Sequence, residues 1–121
     1  MTPFGLKLRE LRESRGISMS SMAKHLHVSA AYLSQLETGK KGHPTTVMVD
    51  HICAMLGLIW DDAEELKHLA KLSKARVAID TAALGPEATR AANLLAEVLP
   101  RVDDDEAKLM ADWLNERLKS L

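Results

Sequence analysis

The fold is decided by one stretch of the chain, residues 17–41, which reads ISMSSMAKHLHVSAAYLSQLETGKK. Ser18 and Ser29 each stand just before a helical pattern, and serine is among the residues that best cap a helix N-terminus. Apolar residues then recur three or four positions apart, as one buried helix face requires. The inward residues are Met22, Ala23 and Leu26 after the first serine and Leu33 and Leu36 after the second. Gly39 suits the end of the second helix, so the stretch predicts two short helices joined by a tight turn.

Three further helices are predicted around this pair, each bounded by residues typical of helix ends. They span about residues 3–15, 45–56 and 61–74. Thr45 or Thr46 is expected to cap the second of them, and Asp61 is expected to cap the third with Glu64 as its reciprocal partner. Residues 39–44 contain two glycines and a proline, which exclude a helix there. The first part of the chain is therefore predicted to hold five helices.

The periodicity changes after this five-helix head, which we assign to residues 1–72. Within residues 76–80, Val77 and Ile79 lie two positions apart on one side, a spacing typical of a strand. Two more helices are predicted at about residues 86–99 and 103–120. The predicted class is all-α, with the head followed by a short strand and two C-terminal helices in a second region, residues 73–121.

The composition is that of an ordinary globular domain, since 46% of the 121 residues are hydrophobic and 27% are charged. No apolar run approaches the roughly 18 residues that a membrane helix needs, so we expect a cytoplasmic protein without a membrane partner. Cys53 is the only cysteine, which excludes an internal disulfide. It falls among apolar residues and is interpreted as part of the core, with a redox sensor as the alternative.

Charge is distributed unevenly along the chain. Residues 1–60 hold seven Lys or Arg against four Asp or Glu, whereas residues 61–121 hold nine against thirteen. A basic first half suits contact with a polyanion, and an acidic second half suits contact with protein or water. The two Trp, one Tyr and one Phe are too few for the stacking rows of single-strand and RNA-sheet binders, so those modules are disfavoured.

The order of helix, short helix, tight turn, short helix, loop and helix is what a helix-turn-helix DNA reader requires. The residues that carry it are LRELRESRGIS at 8–18, Met22-Ala23, and VSAAYLSQLETGKK at 28–41. With them the chain resembles the lambda-repressor-like (Xre-type) helix-turn-helix transcriptional regulators over roughly residues 4–58. Two features depart from that family's pattern. Met19 stands where the family often has Gln, and the loop after the second short helix is one residue longer than the commonest form.

The resemblance implies that the second short helix enters the major groove of double-stranded DNA. The implied DNA-binding residues are Ser29, Ala30, Ala31, Tyr32, Ser34, Gln35, Thr38, Lys40 and Lys41. Gln35 would contact adenine through N6 and N7, and the alanines would pack on a thymine methyl group. Lys40 and Lys41 would neutralise phosphates, and their alternative is to be solvated loop residues. For Tyr32 the alternative is a packing role, and Glu37 is interpreted as a structural acid.

One such helix reads too few base pairs for useful specificity, so we expect a homodimeric repressor on a palindromic operator. The C-terminal region is the expected dimerisation region because its apolar faces exceed what the small head can cover. The expected interface residues are Val77, Ile79, Leu95, Leu99, Trp113 and Leu114. The strand over residues 76–80 would pair with the same strand of a second subunit, since a lone strand is unstable. The alternative is that both C-terminal helices fold back within one chain.

Two other functions stay open at this point. An antitoxin-like regulator would bind DNA with its head and a partner protein with its acidic C-terminal part. A protein-interaction adaptor would keep the fold without DNA binding. An enzyme is not expected, because the sequence shows no phosphate-binding loop, nucleophile elbow or paired catalytic acids. The histidines do not follow zinc-ligand spacing, so no metal, cofactor or catalytic residue is assigned.

Overall fold

A computed structural model describes residues 1–40 and 43–121. These residues form seven α-helices and one 3₁₀ helix, Leu99–Arg101, so the predicted all-α class is confirmed. The α-helices are α1 (Pro3–Ser14), α2 (Met19–His25), α3 (Ala30–Thr38), α4 (Thr46–Leu56), α5 (Trp60–Lys71), α6 (Pro86–Val98) and α7 (Asp104–Lys119). Within the described ranges, no helix is both long enough and apolar enough to cross a membrane.

Several helix ends lie where the sequence predicts them, because short-range chemistry decides them. Ser18, Ser29 and Thr45 are N-caps whose hydroxyl oxygens accept a hydrogen bond from the backbone N–H three residues on, at 3.0–3.1 Å. Asp103 caps α7 in the same way, at 2.9 Å. Gly39 follows α3 with a φ of 76°, a left-handed conformation that glycine adopts without a steric penalty.

The start of α5 differs from the prediction. The helix begins at Trp60, Ile59 occupies the N-cap position, and no side chain caps it. The predicted Asp61 cap is therefore wrong, because this carboxylate lies inside the first turn, where it still interacts favourably with the helix dipole. Trp60 has a φ of 51°, a left-handed backbone that the local pattern does not predict. The helix also ends at Lys71, three residues before the predicted end at Lys74.

The strand predicted over residues 76–80 is wrong. No residue of that segment belongs to a strand, and Val77 and Ile79 are both exposed. A strand needs a neighbour to pair its backbone N–H and C=O groups, and the described ranges contain no other strand. The alternation of Val77 and Ile79 with polar or small residues therefore belongs to a segment that pairs with no strand in the described ranges.

Met1–Val77 forms one compact unit that contains α1 to α5. α3 packs against α1 and α2, while α5 packs against α1 and α4. All five helices contribute buried apolar side chains, which are Phe4, Leu8, Met22, Ala23, Leu26, Leu33, Leu36, Val49, Ile52, Cys53, Leu56, Leu66 and Ala70. Each fully buried side chain of leucine size contributes about 1.5–3 kcal/mol to folding. This core fixes the position of α3.

Ser73 ties the two ends of this unit together. Its hydroxyl accepts a hydrogen bond from the backbone N–H of Phe4 at 2.9 Å and donates one to the carbonyl of Leu69 at 2.6 Å. Ser73, the first residue of the predicted C-terminal region, has a buried side chain within the first unit. The end of α5 is thereby joined to the start of α1.

Ala78–Leu121 forms the second compact unit, which contains α6, the 3₁₀ helix and α7. None of its residues is buried. Large apolar side chains remain exposed along its helices: Leu94, Val98, Leu99, Leu109, Trp113, Leu114 and Leu118. An apolar surface of this extent usually marks a site of association.

Candidate nucleic-acid interface

α3 turns one face to the core and the opposite face to solvent. Leu33 and Leu36 belong to the buried core, which leaves the positions between them exposed or half-buried. The outer face begins with Ala30 and Ala31, whose short side chains leave the backbone of the first turn open to close approach. A helix face of small and polar residues is one that the major groove of DNA accommodates.

The predicted DNA-binding residues that the structure describes lie together on this face or just after it. Exposed are Ser29, Ala30, Ala31, Tyr32, Ser34 and Lys40, and half-buried are Gln35 and Thr38. Lys41 lies outside the described residues. Two hydroxyls of the set take part in the helix itself: Ser29 accepts from the N–H of Tyr32, and Thr38 donates to the carbonyl of Ser34 at 3.1 Å. Gln35 carries the amide of the set, the group suited to two hydrogen bonds with one base edge.

Glu37 attaches α3 to α1 from the inner side. Its carboxylate is fully buried and accepts a hydrogen bond from Nε of Arg9 and from Nε of Arg12, each at 3.3 Å. Arg12 also donates to the carbonyl of Ile17 at 3.1 Å, just before α2 begins. A buried carboxylate is costly unless it is paired in this way. The network agrees with the interpretation of Glu37 as a structural acid, and it links α1, α3 and the approach to α2.

The turn between α2 and α3 is closed by the backbone. The N–H of Val28 donates to the carbonyl of Ala23 at 3.0 Å. His27 has a φ of 59°, a left-handed conformation that costs a non-glycine residue roughly 1–2 kcal/mol. α2 and α3 pack against each other across this turn, which sets the direction in which α3 leaves α2.

Three basic residues outside the predicted DNA-binding set lie beyond the end of α3. Lys74 and Arg76 line a cavity of about 280 Å³ together with Lys40. Lys71 and Lys74 line a larger cavity of about 700 Å³ beside the start of α4. Lys67 and Lys71 are four positions apart on one face of α5, so the sequence holds a signal for that pair, whereas Lys74 and Arg76 lie after the helix ends.

The charges near Cys53 bear on its proposed reactivity. Lys67 forms ion pairs with Asp50 at 3.7 Å and with Glu64 at 3.5 Å. Burial raises the pKa of the Cys53 thiol, Lys67 lowers it, and Asp50 and Glu64 raise it further, with a net upward shift. Because a redox-sensing cysteine needs a lowered pKa and access to solvent, the surroundings of Cys53 suit a core residue.

The predicted dimerisation residues are accessible in this chain. Exposed are Val77, Ile79, Leu99, Trp113 and Leu114, and half-buried is Leu95. Trp113 shows 65% of its surface, which is unusual for a tryptophan without a binding role. Among the residues that the structure describes, no group of three His, Cys, Asp or Glu side chains is arranged to hold a metal ion.

Comparisons of the sequence with known proteins agree with this geometry. A family model described as a helix-turn-helix domain matches residues 3–69. RghRB, an uncharacterized HTH-type transcriptional regulator of Bacillus subtilis (strain 168), is 34% identical over 62 residues, which cover 51% of this chain and 45% of that protein. RghR, an HTH-type transcriptional repressor of the same organism, is 34% identical over 61 residues, with 50% and 45% covered. The chain thus spans less than half the length of these curated relatives.

A comparison with solved structures finds a chain from a SinR protein/SinI protein complex. It is 19% identical, and the alignment covers 98% of this chain and 99% of that chain with a TM-score of 0.45. The family model, which matches residues 3–69, and the two sequence relatives are the stronger likenesses.

Proposed function

Because the chain belongs to the helix-turn-helix domain family, whose model matches more than half of it, we propose that it is a transcriptional regulator that binds double-stranded DNA sequence-specifically. We infer further that it acts as a homodimeric repressor on a palindromic operator. The relatives support a regulatory role, since both are described as HTH-type transcriptional regulators or repressors. The DNA-binding unit would be the five-helix head, and Ser73 favours placing its end near Val77.

The observation that carries the proposal is the outer face of α3. Its inner leucines are buried in the core, while two alanines and the polar residues after them are accessible as one surface. A helix held this firmly can enter the major groove without rearranging. Phosphate contacts from Lys40 and Lys41 would then set its register, because such contacts position a helix without reading sequence.

The roles on α3 follow from side-chain chemistry. Gln35 would pair with adenine N6 and N7, Ser34 would bond to one of several base edges, and Ala30 or Ala31 would pack on a thymine methyl group. Tyr32 would contact the groove or a phosphate with its hydroxyl. Ser29 and Thr38, whose hydroxyls already bond within α3, would lie beside the backbone of the DNA.

Dimerisation is supported by the second unit. It has no buried residue, and its α6 and α7 expose a series of large apolar side chains. Pairing two copies would cover these side chains and bring two α3 helices to one DNA. For half-sites on one side of the duplex, their separation would be about 34–36 Å, one turn of DNA.

Selection from a pool of duplexes with a random stretch of about 30 base pairs tests the proposal, because that length holds two half-sites one turn apart. The expected product is a palindrome with half-sites about 10 base pairs apart, bound by two chains as measured by sedimentation. Enrichment of a single half-site bound by one chain would contradict the homodimer. A failure to enrich any sequence, with no salt-dependent binding, would favour a protein-interaction adaptor.

A second candidate function rests on the same exposed surface. The apolar residues of α6 and α7, with three acidic residues in the first turn of α7, could be covered by a different protein, as in an antitoxin-like regulator. Copurification of a second gene product in a fixed ratio, with loss of the homodimer, would favour that function. A purified chain that is a stable dimer on its own favours the homodimeric regulator.

A further inference from the structure

Two cavities of the first unit adjoin beyond the C-terminal end of α3. The smaller, about 280 Å³, is lined by Lys40, Lys74 and Arg76 together with His43. The larger, about 700 Å³, is lined by Lys71 and again by Lys74 and His43. The cavities share two lining residues, and we call the surface that they form together the basic groove, defined by Lys40, His43, Lys71, Lys74 and Arg76.

The basic groove is rich in positive charge that is unpaired within the part of the chain that the structure describes. Lys40, Lys71, Lys74 and Arg76 form no ion pair with any residue in the described ranges. Glu64 is the acidic residue in the lining, and it pairs with Lys67, which also pairs with Asp50. These three groups together leave one negative charge, against the four positive charges of the groove. Four like charges at one surface repel each other, so an anionic occupant would stabilise the groove.

The position of the groove indicates which anion it meets. Lys40 comes directly after the C-cap of α3, so the groove continues the surface proposed to face DNA. The start of α4, with Thr45 and Thr46, lines the larger cavity and adds the positive end of a helix dipole. The charges come from different parts of the unit and line two open cavities, an arrangement suited to successive phosphates along a strand.

We propose that the basic groove binds the phosphodiester backbone of duplex DNA beside the half-site read by α3. This inference rests on the proposed function and extends it to Lys71, Lys74 and Arg76. These residues add affinity that is independent of sequence, because phosphate contacts position the protein without reading bases. They also lengthen the stretch of DNA that each chain covers.

The test replaces Lys71, Lys74 and Arg76 together by glutamine in the full chain and measures affinity at several salt concentrations. All three side chains are exposed, so the variant should fold as the wild type does, which its thermal unfolding will check. Affinity should fall by the same factor, roughly tenfold or more, on cognate and random duplexes. The slope of log affinity against log salt should become shallower by about 0.9 for each lost contact in each subunit.

A matched control removes three exposed positive charges from the second unit by replacing Arg90, Lys108 and Lys119 with glutamine. This control should leave the slope nearly unchanged. The single substitution Lys74→Gln, at the residue that lines both cavities, should change the slope in the same direction by a smaller amount. Extending the duplex beyond each half-site should raise the affinity of the wild type and of the control, but not that of the triple variant.

The outcomes separate this inference from the proposed function. If the wild type binds no duplex, the proposed function fails and the groove inference fails with it. If the wild type binds its selected site and the triple variant keeps both affinity and slope, only the groove inference is overturned. Binding of inorganic phosphate or a nucleoside triphosphate is measured in the same proteins without DNA. If the wild type binds such an anion, and the triple variant loses that binding but keeps its DNA affinity, the groove is a site for a small anion instead.

Discussion

Gly5 of α1 and Glu37 of α3 meet backbone to backbone. A β-carbon placed on Gly5 would overlap the carbonyl group of Glu37. The carboxylate of the same glutamate accepts hydrogen bonds from Arg9 and Arg12 of α1, so main chain and side chain join the two helices at one residue. The outer face of α3 keeps its orientation only while this close crossing is intact.

The first prediction concerns this crossing. Helix propensity alone predicts that Gly5→Ala stabilises the protein by about 1 kcal/mol. The overlap with Glu37 predicts the opposite, a loss of about 1–3 kcal/mol in the free energy of unfolding, because α1 and α3 must separate. Urea denaturation distinguishes the two signs. Leu6→Ala, at an exposed neighbour in the same helix, is the control and should change stability by less than about 1 kcal/mol.

The second prediction ranks the two arginines that hold Glu37. The side chain of Arg12 is 12% exposed and makes a further hydrogen bond to Ile17, whereas that of Arg9 is 45% exposed. Arg12→Ala should therefore cost roughly 2–4 kcal/mol, since it leaves a buried carboxylate with one partner. Arg9→Ala should cost about 1 kcal/mol or less, as solvent screens that pair. Equal losses in chemical denaturation would show that burial does not decide the strength of these pairs.

The sequence predicts those parts of the fold that depend on residues three or four positions apart. The caps at Ser18, Ser29 and Thr45 and the left-handed end at Gly39 are of this kind, and they frame α2, α3 and α4. The strand fails because Val77 and Ile79 show an alternation but not the partner that a strand requires.

Contacts between distant positions leave no local pattern. Phe4 and Ser73 are 69 positions apart in the chain, and Arg9 and Glu37 are 28 apart, so neither pair shows in the spacing of residues. The candidate site likewise has one part that the sequence predicts and one part that it does not. The α3 residues follow from its helical pattern, whereas the cavity that joins Lys40 to Lys74 needs the folded chain.

The third prediction concerns pH. Because burial raises the pKa of the Cys53 thiol in the folded chain above its ordinary value of 9.0, the unfolded chain loses this proton first as pH rises. The unfolded state then binds fewer protons than the folded state, so stability falls with pH through the range above 9.0 and is unaffected well below it. Unfolding free energies of wild type and Cys53→Ala between pH 7 and 10 should show a steeper fall for the wild type. Parallel curves would show that the thiol titrates alike in both states.

The fourth prediction tests the association of the second unit. Trp113 is 65% exposed on α7, beside the exposed Leu114. If pairing of two chains covers it, Trp113→Asp should shift the sedimentation of the purified protein from dimer to monomer, since a buried unpaired charge is costly. Specific DNA affinity should then fall, while binding by a single head to random DNA changes little. The control Asn115→Asp adds the same charge at an exposed polar position of α7 and should leave the dimer unchanged. A wild type that is already monomeric at tens of micromolar would contradict dimerisation through the second unit.

The last prediction concerns sequence readout by Gln35. Its amide can donate to and accept from one adenine edge, and no other amide lies on the exposed face of α3. Gln35→Ala should weaken binding to the selected site by about 1–3 kcal/mol and relax the preference at one position of each half-site, with affinity for random duplex nearly constant. Asn93→Ala, which removes an exposed amide from α6, is the control and should alter neither affinity. Competition binding with a set of duplexes mutated one base pair at a time measures both effects. Equal losses on selected and random DNA would mean that Gln35 contacts phosphate or supports α3, and base readout would then be assigned to Ser34 and the two alanines.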